Sequence, residues 1–138
     1  MRYLLDTNVI SELIKRSPNP HVIAWLERRE RRSLHLSVIT VGEIRKGIER
    51  TRLHDAGRAG RLENWLQELV RSYGERVLPV EQTVAQEWGR MLAAAPAHIV
   101  DTLLAATAAV HGLTLVTRNV RDFERRGVPL LDPFDSLP

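Results

Sequence analysis

The chain has no cysteine, and this absence removes three classes of chemistry. Disulfides, thiolate zinc centres and a cysteine nucleophile are all excluded. There is also no run of 18 apolar residues, so we expect no membrane span. The N-terminus enters an apolar segment without the basic-then-apolar pattern of a signal peptide, and the expected location is therefore the cytoplasm.

The common nucleotide-binding and hydrolase signatures are missing as well. The sequence contains no GxxxxGK(S/T) loop, no GxGxxG turn and no GxSxG elbow. Neither HxxxH nor HExxH spacing occurs among the five histidines, and we expect no catalytic role for them: His21, His35, His54, His98 and His111. The chain therefore offers neither an obvious protein nucleophile nor a histidine-based metal motif.

The charge balance is basic and allows two interpretations. The 138 residues include 20 Lys and Arg against 17 Asp and Glu, a net charge of +3, and almost all of the cations are arginine. Because the guanidinium fork suits phosphate, nucleic acid is a candidate partner, although a soluble Arg-rich protein explains the same balance equally well. The length corresponds to one domain over residues 1–138.

Apolar strand-like segments alternate with helix-like periodicity, which predicts an α/β fold with a parallel sheet covered on both faces. Helices are predicted near residues 9–14, 21–32, 41–52, 62–73, 82–94, 98–111 and 120–126. Proline in the third and fifth predicted strands marks them as edges, and right-handed crossovers then favour the strand order 3-2-1-4-5. The five predicted strands are residues 3–5, 34–38, 76–80, 113–117 and 128–131.

Four acids lie where the central strands end or where a helix begins. Asp6 follows strand one, Glu43 is predicted in the first turn after strand two, Asp101 in the first turn of the most apolar helix, and Asp122 one turn after strand four. Ligands bind at the carboxyl ends of parallel strands, so these side chains are expected to converge there. Converging carboxylates repel one another unless a divalent cation is bound, which predicts a histidine-free, all-oxygen site for Mg²⁺ or Mn²⁺.

Each of these acids also has a purely structural explanation. Residues 40–43 form a capping-box pattern, and residues 119–122 form a related cap. Asp6 can cap its own helix, and Asp101 can interact with a helix dipole. The sequence leaves both interpretations open for each acid, but the occurrence of all four together favours a metal site.

Such a site would cleave a phosphodiester through metal-activated water. Nearby cations would hold the backbone of the substrate without reading its sequence. Two of the candidates follow Glu43 at i+3 and i+7 on one helix face, and the other two flank Asn119; ordinary surface charge is the alternative. The four candidate phosphate contacts are Lys46, Arg50, Arg118 and Arg121.

Five segments in this order resemble the PIN-domain ribonucleases, most closely the VapC/FitB-like toxins of bacterial type II toxin–antitoxin pairs: residues 4–12, 37–44, 87–90, 101–108 and 113–123. The resemblance implies a three-layer α/β/α sandwich with Asp6, Glu43 and Asp101 around Mg²⁺, supported by the hydroxyl of Thr7. It also implies endonucleolytic cleavage of cellular RNA, a homodimer, and a cognate VapB-like antitoxin that blocks the site.

One position departs from the family pattern. Many PIN domains carry Asp where this chain has Asn119, so the resemblance makes Asp122 the fourth acid, with Asn119 positioning water or orienting Asp122. The alternative function is a non-cleaving PIN-like module that binds RNA or a protein. A receiver-like phospho-acceptor domain is disfavoured because Asp6 has no adjacent acid and Arg118 stands where that fold needs lysine.

Overall fold

The computed structural model describes residues 1–135, and its centre is one parallel sheet. The strand order is 3-2-1-4-5, as the sequence predicts, with the two proline-adjacent strands at the edges. All four strand pairs are parallel. The first strand, β1 (Tyr3–Leu5), has its predicted bounds, and the other four are shorter than predicted: β2 (Leu34–Ser37), β3 (Val77–Leu78), β4 (Thr114–Val116) and β5 (Leu130–Leu131).

Helices cover both faces of this sheet and complete the predicted three layers. No helix in the described residues is long and apolar enough to cross a membrane. The helices are α1 (Thr7–Ile10), α2 (Pro20–Glu27), α3 (Val38–Arg52), α4 (Ala56–Tyr73), α5 (Gln82–Ala94), α6 (Ile99–His111) and α7 (Val120–Phe123).

The central strand β1 divides the core into two apolar clusters because successive side chains of a strand point to opposite faces. Tyr3 and Leu5 belong to one cluster, which includes side chains of α2, α3 and α4. Leu4 belongs to the other, which includes side chains of α5, α6 and α7. A strand buried on both faces has no polar position to spare, which explains the unbroken apolar run at residues 3–5.

Several predicted helix boundaries are wrong: α1 spans Thr7–Ile10, and α4 begins at Ala56 because the Asp55 side chain caps it there. Helix α3 begins at Val38 and not at residue 41, because the hydroxyl of Ser37 accepts the Ile39 backbone N–H at 3.0 Å and caps the helix there. The second helix ends at Glu27, and residues 31–33 form a separate 3₁₀ turn. The last predicted helix ends at Phe123 and continues only as a 3₁₀ turn over residues 124–126.

Candidate metal centre

Asp6 occupies the end of β1 and is almost fully buried, with 6% of its surface exposed. One carboxylate oxygen accepts the Thr7 backbone N–H at 2.7 Å, so Asp6 caps α1, and the other accepts the Thr117 hydroxyl at 2.8 Å. The amide of Asn8 donates to the second oxygen at 3.4 Å. The capping interpretation of Asp6 is therefore correct, and it is compatible with a second role because the carboxylate is also held from β4.

Glu43 lies next to α1, where the Thr7 hydroxyl donates to its Oε1 at 2.7 Å. Because α3 begins at Val38, Glu43 is in the second turn of the helix, and the predicted capping box is wrong. The side chain is thus not needed to cap α3. Thr7 instead fixes its direction toward the end of β1, as the sequence resemblance implies for a supporting residue.

Asp101 and Asp122 form the more open side of the cluster. Asp101 is the third residue of α6, and its side chain is 35% exposed. Asp122 is in α7, with 37% of its side chain exposed. Its backbone N–H donates to the Asn119 carbonyl at 3.0 Å, so α7 holds it in place.

Electrostatic coupling indicates that the four carboxylates lie close to one another. The pKa of Asp6 is raised to about 6, first by burial and then by the charges of Asp101 and Glu43, against opposing hydrogen bonds from Thr117 and Thr7. Burial also raises the pKa of Asp101, with further contributions from the negative charges of Glu43 and Asp122. The cluster thus carries more negative charge than its surroundings stabilise.

Within residues 1–135, no lysine or arginine comes within 4 Å of these four carboxylates. The one basic side chain at ion-pair distance is His98, whose Nδ1 is 3.9 Å from Asp101 Oδ2 and whose Nε2 is 3.8 Å from Asp122 Oδ1. His98 thus lies beside a cluster for which the sequence predicts no histidine ligand. A cluster of hard oxygen donors without a fixed cation fits a divalent metal ion.

Asn119 does not serve as the helix cap that the sequence predicts. Its side chain makes no capping hydrogen bond at α7, although its backbone N–H donates to the Thr117 hydroxyl at 3.0 Å. Thr117 thereby accepts from Asn119 while donating to Asp6. Asn119 is thus linked to the cluster through Thr117, and its exposed amide is free to contact water at the rim.

The four candidate phosphate contacts are all exposed, and the structure separates them into two groups. Arg121 borders a cleft of about 320 Å³ together with His98 and Asp122, which places it beside the acidic cluster. Arg118 stacks on Phe134 at 4.7 Å, and its backbone N–H donates to the Asn8 side chain at 3.2 Å. The other two, Lys46 and Arg50, continue along α3 beyond Glu43.

Three residues of the site have no role in the sequence analysis: Thr117, Asn8 and His98. The sequence signal for Thr117 was its place at the end of the predicted fourth strand. In the structure Leu5 pairs with Val116, so the residues that follow these two, Asp6 and Thr117, lie side by side. Asn8 bridges β1 and β4 by donating to Asp6 and accepting from the Arg118 backbone. Both of these residues fasten the end of β1 to the end of β4.

Comparisons with known proteins agree with this architecture. Residues 3–129 match the PIN domain family. The chain is 33% identical over 138 residues to a VapC ribonuclease of Sinorhizobium fredii, covering 96% of this chain and 97% of that protein. It is 34% identical over 143 residues to the toxin FitB of Neisseria gonorrhoeae, covering 95% and 97%. The crystal structure of FitAcB from Neisseria gonorrhoeae superposes with a TM-score of 0.89, at 33% identity, covering 97% and 99%.

Proposed function

The chain belongs to the PIN-domain family, and we propose that it is a Mg²⁺-dependent endoribonuclease acting as the toxin of a VapBC-type toxin–antitoxin pair. The observation that carries this proposal is the convergence of Asp6, Glu43, Asp101 and Asp122 without a lysine or arginine partner in the described residues. Relatives of similar length are named VapC ribonuclease and toxin FitB, which supports both parts of the proposal.

The four carboxylates are the residues that would hold the ion, with Mn²⁺ able to substitute for Mg²⁺. When bound, the ion supplies Lewis-acid activation of water and neutralises charge on a phosphodiester. The chain itself orients the carboxylates of Glu43 and Asp6 by hydrogen bonds. Thr7 directs Glu43, while the Thr7 backbone and the Thr117 hydroxyl direct the two oxygens of Asp6.

Substrate binding is assigned to the exposed cations around the cluster. Arg121 borders the cleft beside Asp122, and Arg118 is anchored through its backbone to Asn8, one residue from Thr7. Lys46 and Arg50 extend the basic surface along α3 beyond Glu43. Contacts of this kind hold phosphates and carry little sequence information, so the choice of RNA lies in the shape of the surrounding surface.

The proposed partner is a cognate VapB-like antitoxin. The similarity to the relative named toxin FitB supports that assignment. The homodimer that the sequence resemblance implies stays a prediction. The alternative, a non-cleaving module that binds RNA or protein, would keep the fold and the exposed cations but would not need the four acids.

The decisive experiment is cleavage of total cellular RNA by the purified chain in Mg²⁺ and in EDTA, beside Asp101→Asn. We expect discrete cuts with Mg²⁺ and background levels in EDTA or with the variant, because Asn keeps the shape and removes one charged ligand. The matched control is Glu75→Gln, which neutralises an exposed acid without a side-chain partner in the described residues and should cut like the wild type.

Three outcomes would count against the proposal. Cutting that persists in EDTA would contradict the dependence on a metal ion. Cutting that persists with Asp101→Asn would remove that carboxylate from the active site. A folded wild type that binds Mg²⁺ and leaves every cellular RNA intact would favour the non-cleaving module. Circular dichroism of both variants distinguishes loss of chemistry from loss of fold.

A further inference from the structure

His98 lies beside the acidic cluster, near Asp101 and Asp122, and the proposed function gives it no task. We propose that His98 is a nitrogen ligand of the bound ion and that it makes the site prefer Mn²⁺ to Mg²⁺. This inference rests on the proposed metal site. It adds a ligand of a different chemical type to a set that otherwise consists of carboxylates.

The positions of the ring nitrogens favour a shared ion over a direct contact. Nδ1 lies 3.9 Å from Asp101 and Nε2 lies 3.8 Å from Asp122, and both distances are too long for a hydrogen bond. One ligand atom from each of these three residues lies within 4.8 Å of the others. Metal–ligand bonds of about 2.0–2.2 Å put two ligand atoms of one ion roughly 3 to 4.3 Å apart. The 3.9 Å and 3.8 Å separations, which start from different ring nitrogens, both fall within that interval, so one nitrogen of the ring can approach an ion held by the neighbouring acid.

The backbone that carries the ring is held by buried structure. Arg126 is buried and its guanidinium donates to the carbonyls of Met91 and Ala95, both at 2.9 Å, and to that of Ala97. These bonds tie the end of α5 and the residue before His98 to the 3₁₀ turn after α7. The segments carrying His98 and Asp122 are thus fastened together, which keeps the ring on the same side of the cleft as both acids.

Two structural roles for the ring are weaker explanations. His98 precedes α6, but its side chain makes no capping hydrogen bond, and its backbone is left-handed at φ 53° and ψ 57°. As an ion pair, an imidazolium with 48% of its side chain exposed and no hydrogen bond to either acid would contribute little. Neither helix capping nor an exposed ion pair explains why the ring lies at similar distances from Asp101 and Asp122.

The chemistry of imidazole then sets the preference between metals. Mg²⁺ takes oxygen ligands and keeps several waters, so it gains little from a nitrogen donor. Mn²⁺ differs from Mg²⁺ in being a transition-metal ion that also accepts imidazole nitrogen, although it does so less strongly than Fe²⁺, Co²⁺, Ni²⁺ or Zn²⁺. A site with His98 in its ligand set should consequently bind Mn²⁺ more tightly than Mg²⁺, and that difference should depend on the ring.

The test uses untagged, metal-free full-length chain loaded with Mn²⁺, because a histidine tag would itself supply imidazole. Pulsed electron paramagnetic resonance should detect ¹⁴N coupling from a directly bound imidazole in the wild type. The coupling should vanish in His98→Asn, since Asn tolerates the left-handed backbone and lacks the ring. The control His54→Asn removes an exposed histidine from the loop after α3 and should keep the coupling.

Calorimetric titration supplies a second readout that does not depend on activity. Changes to residues outside the ligand shell alter metal affinity by about 10- to 100-fold, so loss of a direct ligand should weaken Mn²⁺ binding at least about tenfold. Mg²⁺ binding should change less than about threefold, because the carboxylates remain. His98→Gly, which also relieves the left-handed backbone, should reproduce both results.

The outcomes separate this inference from the proposed function. Mn²⁺ bound by the wild type without nitrogen coupling, or equal losses for both metals in His98→Asn, would overturn the role of His98 and leave the carboxylate site standing. A folded wild type that binds neither metal would overturn the metal site itself and His98 with it. Mn²⁺ binding that Asp101→Asn does not weaken would place the ion elsewhere and overturn both.

Discussion

At the scale of single residues, Asp6 stands out because its burial disfavours the ionised form of its carboxyl group. Its carboxylate is held by Thr7 and Thr117, yet these hydrogen bonds do not offset desolvation, and the pKa rises from 3.8 to about 6. The folded chain therefore holds this proton more tightly than the unfolded chain does. The contribution of Asp6 to stability is complete below pH 3.8 and is lost as the pH rises through 6.

We predict that Asp6→Asn is at least as stable as the wild type at pH 8 in EDTA, by up to about 3 kcal/mol, and that this advantage shrinks toward pH 4. Asn caps a helix as well as Asp does, so the bond from the Thr7 backbone is kept. Urea unfolding of both proteins in EDTA at pH 4, 6 and 8 measures the difference. A variant clearly less stable than the wild type at pH 8 would mean that the charge itself is needed for the cap.

The sequence located Asp6, Asp101 and Asp122 at the correct places because strand ends and helix starts follow from apolar periodicity. The sequence analysis placed Glu43 in the first turn of its helix, whereas the structure places it in the second turn. The β-branched residues 38–40 read as a continuation of the strand, but Ser37 already caps the helix, and the pattern at residues 40–43 is therefore not a cap. His98 was missed because its partners are Asp101, across a helix start, and Asp122 on another helix, which no short motif records.

At the scale of elements, the junction between α5 and α6 depends on one buried side chain. Arg126 has no carboxylate partner in the described residues, and its guanidinium instead satisfies carbonyls at the end of α5 and in the loop that follows. The Met91 and Ala95 carbonyls also accept backbone N–H groups, those of Ala95 and Ala97. The side chain thus adds a second donor at the end of α5 and fixes the point from which α6 begins.

Arg126→Met should lower the free energy of unfolding by roughly 1.5–3 kcal/mol, because it removes the hydrogen bonds of a buried charged donor to three carbonyls. The control is Arg125→Met, one residue earlier and exposed, which should change stability by less than about 0.5 kcal/mol. Urea denaturation of the metal-free proteins measures both. Equal effects of the two substitutions would show that the carbonyl contacts of Arg126 contribute nothing.

Strand order was predictable at this scale, whereas strand length was not. Proline marked the third and fifth strands as edges, and the structure confirms both positions. Yet Pro79 lies just outside β3, and Pro129 just before β5, so each of these strands has only two residues. A proline lacks the backbone N–H that hydrogen bonding between strands needs. It therefore limits the length of an edge strand, from either end, as well as marking the strand as an edge.

At the scale of the whole molecule, metal binding, protonation and folding are linked at the acidic cluster. Protons and a divalent cation compete for the same carboxylates, and the pKa of about 6 at Asp6 brings that competition close to neutral pH. The pKa of Asp101 is raised as well, by burial and by neighbouring carboxylates. An ion that binds only the folded chain must raise its stability, and most where the cluster is fully ionised.

We expect Mg²⁺ at one hundred times its dissociation constant to raise the free energy of unfolding by about 2.7 kcal/mol at pH 8. The same concentration at pH 5 should give a much smaller increase, since Asp6 is then largely protonated. Thermal unfolding at both pH values, with Mg²⁺ or EDTA, tests this. An increase that is independent of pH, or that persists in Asp101→Asn, would place the binding outside the cluster.

The bond from Thr117 to Asp6 joins residues 111 positions apart. Because synthesis runs from the N-terminus, β1 and β2 emerge and can pair long before β4 exists. The last strand to reach the centre of the sheet thus brings the hydroxyl that orients Asp6, and Asp122 follows it. A ribosome carrying only the first hundred residues holds a chain with an exposed gap beside β1 and an unfinished acidic cluster. The proposed nuclease therefore acquires its complete acidic site only when its own synthesis is nearly finished, and the ribosome that makes it carries an incomplete site until then.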